Sequence, residues 1–171
     1  MIRREFYRFG TVILGTLMTA ALAVPGVAYL LDPLRTKRGA ARTYKLAKLS
    51  DLEVHVPRSY QIVDDRQDAW VKYPLESIGR VWLIRQPDNS VIAFQAECPH
   101  LGCAVNLSSD KKMFRCPCHD SAFSFDGTPQ NQVPPRPMDR LTVELLAGSD
   151  PVVSVQFERF RAQSEEKIPL V

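Results

Sequence analysis

Cysteine and histidine are scarce in this 171-residue chain, four of the one and three of the other, and neither is spread along it. All four cysteines fall between Cys98 and Cys118, and two of the three histidines share that window. Structural disulfides or buried thiols scattered through a core are thereby excluded, and a single site is implied. His55 stands apart and reads as a surface or structural residue. Internal repeats and low-complexity tracts are also missing, and the length suits one domain with an anchor or tail rather than two large domains. A basic surface is missing where a nucleic-acid binder would need one. Residues 51–171 carry 13 basic against 17 acidic side chains, so nucleic acid is not an expected partner.

Positive charge is concentrated at the amino-terminal end, in Arg3, Arg4 and Arg8 and in six Lys or Arg over residues 32–50. Between these groups, Gly10 to Leu31 is a run of 22 residues without any charge. As a helix it would span about 33 Å, against about 30 Å of bilayer hydrocarbon, so residues 10–31 are expected to be a transmembrane anchor. Ala21-Leu22-Ala23 has the small-residue pattern of a signal cleavage site, but the apolar run continues to Leu31, which favours a retained anchor. Residues 1–9 contain Arg3-Arg4-Glu5-Phe6-Tyr7-Arg8, which resembles a twin-arginine export motif, with Ile2 where that motif has Ser or Thr. The basic residues after the run outnumber those before it, and the positive-inside rule alone would keep the following domain in the cytoplasm. The export motif and the site chemistry below favour the opposite side: a single-pass inner-membrane protein with a periplasmic domain.

Residues 32–50 mix basic, small and polar residues and read as a hinge or linker. Residues 51–171 read as an all-β domain. Val81–Arg85 and Val91–Phe94 flank the turn residues Pro87–Ser90, Leu141–Leu146 and Val152–Phe157 flank Ala147–Pro151, and Asp126-Gly127-Thr128 marks another turn. A short helix is a weaker expectation around Leu75–Gly79, and Val133–Pro137 reads as a stiff proline loop.

Two boxes carry the chemistry: Cys98-Pro99-His100-Leu101-Gly102-Cys103 and Cys116-Pro117-Cys118-His119-Asp120-Ser121. Read as C-x-H and C-x-x-H, they offer two thiolates and two imidazoles from Cys98, His100, Cys116 and His119. Zinc accepts such a set, but it would leave Cys103 and Cys118 without a role, and zinc fingers separate the cysteine pair from the histidine pair. A two-metal cluster flanked by a disulfide suits the inventory better. With two Cys on one iron and two neutral His on the other, a 2Fe-2S centre is easier to reduce than its all-thiolate counterpart.

The boxes resemble those of Rieske iron–sulfur subunits of cytochrome bc-type complexes, most closely over residues 94–137. The resemblance implies a Rieske-type domain of antiparallel sheets with an inserted cluster-binding subdomain, preceded by one transmembrane helix. By it, Cys98 and Cys116 would bind the inner iron and His100 and His119 the outer one. Cys103 would pair with Cys118, a disulfide that needs an oxidising compartment. Leu101 would cover the cluster, Ser121 would donate to a bridging sulfide, and Pro134, Pro135 and Pro137 would cap a third side. Implied partners are quinol, a cytochrome b subunit and a c-type cytochrome, with His119 first and His100 second in contact with quinol. The chain would then belong to a quinol:cytochrome c oxidoreductase, its hinge letting the head carry the electron onward. The small Rieske subunit of a molybdenum enzyme of the arsenite oxidase kind is the alternative.

Two departures from that family bear on potential. Phe123 stands where high-potential members have a Tyr, and Asp120 replaces a Gly. Both changes disfavour adding an electron, one by a missing hydroxyl and the other by an added carboxylate, so menaquinol is the favoured donor.

Overall fold

The computed structural model describes residues 2–35, 42–67 and 71–170, in two units divided between residues 40 and 41. Among its described residues the first unit holds one helix, α1 (Arg3–Arg35), longer at both ends than the uncharged run and continuous through Pro25 and Gly26. Its Arg3–Leu31 portion is long and apolar enough, by length and composition, to cross a membrane. The hydroxyls of Thr11, Thr16 and Thr19 donate to the carbonyls of Tyr7, Val12 and Gly15 at 2.8–2.9 Å. A side-chain hydroxyl in hydrocarbon has no water to bond, and these turn back on the helix itself.

The second unit is built on a six-stranded antiparallel sheet in the order β1-β9-β8-β4-β3-β2. Its strands are β1 (Arg42–Lys48), β2 (Arg58–Gln67), β3 (Lys72–Arg85), β4 (Val91–Gln95), β8 (Arg140–Leu146) and β9 (Val152–Phe157). The two edge strands are joined by side chains: Arg42 and Tyr44 of β1 donate to Asp64 of β2 at 2.5 and 2.6 Å. Those bonds draw the Asp64 carboxyl below its usual range, while burial, followed by Asp64, pushes the Tyr44 phenol up to about 12. The sheet thus curls toward closure and blunts both edges.

Between β4 and β8 the chain inserts a small three-stranded sheet of β5 (Asn106–Leu107), β6 (Phe114–Arg115) and β7 (Ala122–Phe123). Two separate cores result. Leu52, Ile62, Val81, Leu83, Ala93, Val153 and Val155 fill one, and Trp82, Ile84, Phe94, Phe114, Phe123, Cys98 and Cys116 fill the other. Successive residues of a strand face opposite sides, so the unbroken run Val81–Ile84 feeds both cores at once, as a strand buried on both faces must. Trp82 Nε1 donates to the Val105 carbonyl at 3.0 Å and pins the insertion to the sheet. Gly127, at φ +87°, makes the expected turn under Phe94, whose ring would lie 2.6 Å from an added Cβ. The hairpin turn at Pro87–Ser90 and the β8–β9 pair form as the sequence implies.

Two expectations are corrected. Residues 75–79 are not helical but lie in β3, which starts at Lys72, and they pair with β2 through Glu76↔Asp64, Ser77↔Val63 and Gly79↔Ile62. Pairing with β2 engages backbone groups that a short helix would leave open at its ends. Residues 42–48, read as part of the linker, are edge strand β1, held by antiparallel pairing with β9. Residues 36–41, the centre of the expected hinge, lie outside the described residues.

Candidate metal centre

The two boxes fold into loops of one design. In each, the first Cys N–H donates to the carbonyl of the residue five places on, Cys98 to Cys103 and Cys116 to Ser121, both at 2.8 Å. In each, the same Cys carbonyl accepts from the N–H four places on, Gly102 at 2.8 Å and Asp120 at 3.1 Å. That fourth residue is left-handed in both, Gly102 at φ +76° and Asp120 at φ +62°. Asp tolerates this backbone, which is why it can stand in the place of a Gly. Superposing the loops equates Leu101 with His119 and His100 with Cys118, so the two histidines occupy different loop positions. The unequal C-x-H and C-x-x-H spacings have this cause, and the rings meet edge to face with centroids 4.9 Å apart.

A disulfide joins Cys103 to Cys118, as the resemblance implies. The sulfurs of Cys103, Cys116 and Cys118 lie within 4.8 Å of one another, but two of them are consumed in that bond and cannot act as thiolates. Cys98 and Cys116 remain as the free thiols, both 2% exposed. Burial pushes the Cys98 thiol up, opposed by the Ser121 hydroxyl and the His100 N–H and reinforced by the neighbouring Cys116. Two buried thiols this close are costly to ionise unless a cation takes their charge.

Ser121 supplies the test of fit. Its Oγ is fully buried with no hydrogen-bond partner, and it stands near enough to Cys98 to lower that thiol's pKa without reaching hydrogen-bond geometry. A buried hydroxyl is ordinarily paired. A sulfide or thiolate sulfur of a cluster held between the loops would supply the acceptor it lacks.

Exposure is divided by residue type. The thiols are buried, His100 is half-buried, and His119, Leu101 and Pro117 face outward. Phe123 is fully buried, pairs with Phe114 in the small sheet, and has no hydroxyl to offer. The Asp120 carboxylate is not alone: Arg115 Nε lies 3.1 Å from it, and both side chains are exposed to solvent. Pro134 is buried, while Pro135 and Pro137 are exposed.

The structure adds residues that the sequence reading passed over. Asn131 Nδ2 donates to the Asp120 carbonyl at 2.6 Å and braces the second loop. Arg136, between two prolines, is buried against Asp139. A charged residue inside a proline run was the available signal for Arg136; Asn131 had none.

Paired buried thiols and a pair of touching imidazoles, on disulfide-joined loops inserted into an antiparallel sheet, mark a class: a β-domain whose insertion offers sulfur and nitrogen donors to a metal centre. The chain belongs to the family described as Rieske [2Fe-2S] domain, which it matches over residues 42–145. A 2Fe-2S cluster is accordingly its cofactor. It is 31% identical over 150 residues to the menaquinol:cytochrome c reductase iron–sulfur subunit of Bacillus subtilis, covering 85% of this chain and 87% of the relative. The subunit of the same name from Geobacillus thermodenitrificans is 28% identical over the same shares. The cytochrome b6-f complex iron–sulfur subunit 2 of Synechocystis sp. is 28% identical over 73% of this chain and 68% of the relative.

Proposed function

We propose that this chain is the electron-transfer subunit of a quinol-oxidising bc-type complex. In this reading Cys98 and Cys116 hold one iron, and His100 and His119 the other. The observation that carries it is the polarity of the site: thiols sealed in the core, imidazoles at the rim beside the exposed Leu101. An exposed imidazole can take a proton as well as pass an electron, which is what quinol oxidation requires.

The bound cluster supplies a one-electron acceptor. The protein's residues do the rest. His119, the more exposed imidazole, accepts a hydrogen bond from the quinol hydroxyl and then its proton, with His100 beside it. Leu101 and Pro135 give the quinol an apolar approach and exclude water. Cys103–Cys118 holds the two histidine-bearing loops in one arrangement, and this disulfide supports a domain on the oxidising, extracytoplasmic side of the membrane. The second quinol electron passes to a cytochrome b partner, and the head delivers the first to a c-type cytochrome. Menaquinol is the favoured donor on two grounds: Phe123 withholds a hydrogen bond that would raise the potential, and two relatives carry menaquinol in their names.

In native membranes, menaquinol should reduce a centre with the anisotropic EPR signal of Rieske proteins, and the chain should co-purify with a b-type cytochrome. A centre that menaquinol leaves oxidised, in a complex with a molybdopterin subunit, would refute the reading.

Phe123→Tyr is expected to raise the midpoint potential in protein-film voltammetry. A neutral hydrogen bond contributes about 1 kcal/mol net, which for a one-electron couple is on the order of 40 mV. An unchanged or lower midpoint would refute the assignment of Phe123 as the residue that sets this chain's potential.

A further inference from the structure

Beyond β9 the chain makes β10 (Arg159–Phe160) and β11 (Pro169–Leu170), a pair closed by Arg161 N–H to the Ile168 carbonyl at 2.9 Å. The family match ends at residue 145, so this carboxy-terminal segment lies outside it. It touches the walls of the site three times. Gln163 N–H donates to the Pro99 carbonyl at 2.9 Å, between Cys98 and His100. Arg159 Nε pairs with Glu97 at 3.2 Å, one residue before Cys98. The Ser164 carbonyl accepts from Arg136 Nη1 at 2.5 Å, from the proline segment.

Arg136 is the centre of this arrangement. Its Nε and Nη2 grip both oxygens of Asp139 at 3.0 and 2.7 Å, and both side chains are about 95% buried. As a source of stability a buried ion pair is a poor choice, because desolvation consumes most of its attraction and apolar residues of the same volume do as well. What the planar fork provides is direction, since its three bonds fix one orientation and a Lys could satisfy only part of it. Gln163 adds a second sign of constraint. It holds φ at +58°, unfavourable for a side chain with a Cβ, in the conformation that aims its N–H at Pro99.

We propose that Arg136 is a positioning residue: through Ser164 and Gln163 it clamps the proline segment 133–137 to the first loop, Cys98–Cys103, and so sets the orientation of His100 toward the cluster. The inference rests on the ligand set proposed above. The clamp joins two walls of the site that the sequence separates by more than thirty residues, using a segment distant from both.

The test uses the full-length, cluster-loaded chain with Arg136→Lys, and with Arg136→Met combined with Asp139→Leu, which removes the whole ion pair and protects folding. Both variants are expected to keep wild-type iron and sulfide content. Both should shift the EPR g values and the midpoint, and slow quinol-dependent reduction roughly tenfold, the scale of a small misplacement at a reacting centre. The double variant should melt near the wild type while its spectrum stays altered, an effect that a purely structural role would not produce. Wild-type g values, midpoint and reduction rate in either loaded variant would overturn the clamp. So would failure of both variants to fold or take up iron, since Arg136 would then be a stability residue. Absence of a Rieske-type signal from the unmutated protein would instead refute the ligand set.

Discussion

A chain carrying Cys98→Ser or Cys116→Ser is expected to be isolated without its cluster, with iron content near zero and no Rieske EPR signal. Each thiol is 2% exposed and lies in the core cluster of the inserted subdomain, so no solvent ligand can stand in for it. Serine is a poor substitute because its hydroxyl ionises far less readily than a thiol and iron–sulfur chemistry prefers the soft donor. Metal binding and local folding are coupled, so loss of the cluster should loosen the loops around it. It should not unfold the domain. The main sheet has its own core of Leu52, Ile62, Val81, Leu83, Val153 and Val155, which shares no residue with the core around the thiols. Far-ultraviolet circular dichroism should therefore change little, while limited proteolysis should cut within residues 96–139. His55→Ala serves as the control and should keep full cluster content, since the backbone places His55 in a left-handed turn outside the insertion. A Cys98→Ser protein with two irons and a wild-type spectrum would refute the ligand assignment.

Removing the disulfide, by Cys103→Ala with Cys118→Ala, is expected to be the next most damaging change. The bond spans 15 residues and ties together two loops whose tips, Pro117 to Asp120 on one and Leu101 to Gly102 on the other, are exposed. Closing a loop of that length restricts the unfolded chain by about 3 kcal/mol, which in a domain of this size corresponds to a fall in Tm of roughly 10 °C. The loss falls on the insertion, since the backbone bonds at Cys98 and Cys116 each close one loop and the Asn131 bond braces the second loop alone. Calorimetry should show the lower transition, and the variant should lose its EPR signal on warming well before the sheet unfolds. Equal Tm and equal cluster lifetime in the two proteins would mean that the loops are held by other contacts.

The parts of the fold legible in the sequence are those whose causes are local. The Val81–Phe94 hairpin was visible because a polar turn containing Pro87 and Asn89 separates two apolar strands, and Asn89 does adopt the left-handed backbone at φ +65°. The anchor was visible because hydrocarbon tolerates no charge over its whole thickness. By contrast β2, with the sequence RSYQIVDDRQ, buries Ile62 fully but leaves Val63 exposed and carries charges along its length, so no alternation announced it. Its partner β3 was read partly as helix for the same reason. Edge strand β1 was taken for linker because its basic, small and polar residues show no sustained apolar face; only its pairing with β9, more than a hundred residues away, makes it a strand. Pairing across such distances depends on which edges are free when the sheet assembles, and no window of neighbouring residues records that.

The same division runs through the site. The sequence by itself determined the donor inventory, because cluster chemistry demands particular atoms, and thiolates, imidazoles and a spare cysteine pair were all present within two short boxes. The tertiary structure decided what those atoms meet. It brought the boxes into matching loops whose histidines stand one position apart, buried the thiols, and left His119 exposed and His100 half-buried. It aimed the unpaired Ser121 hydroxyl inward and set Arg115 against the Asp120 carboxylate. Through Arg136 it recruited a carboxy-terminal segment to brace the first loop. Residue identity is a property of the chain, whereas burial, orientation and charge pairing exist only once distant segments share a core.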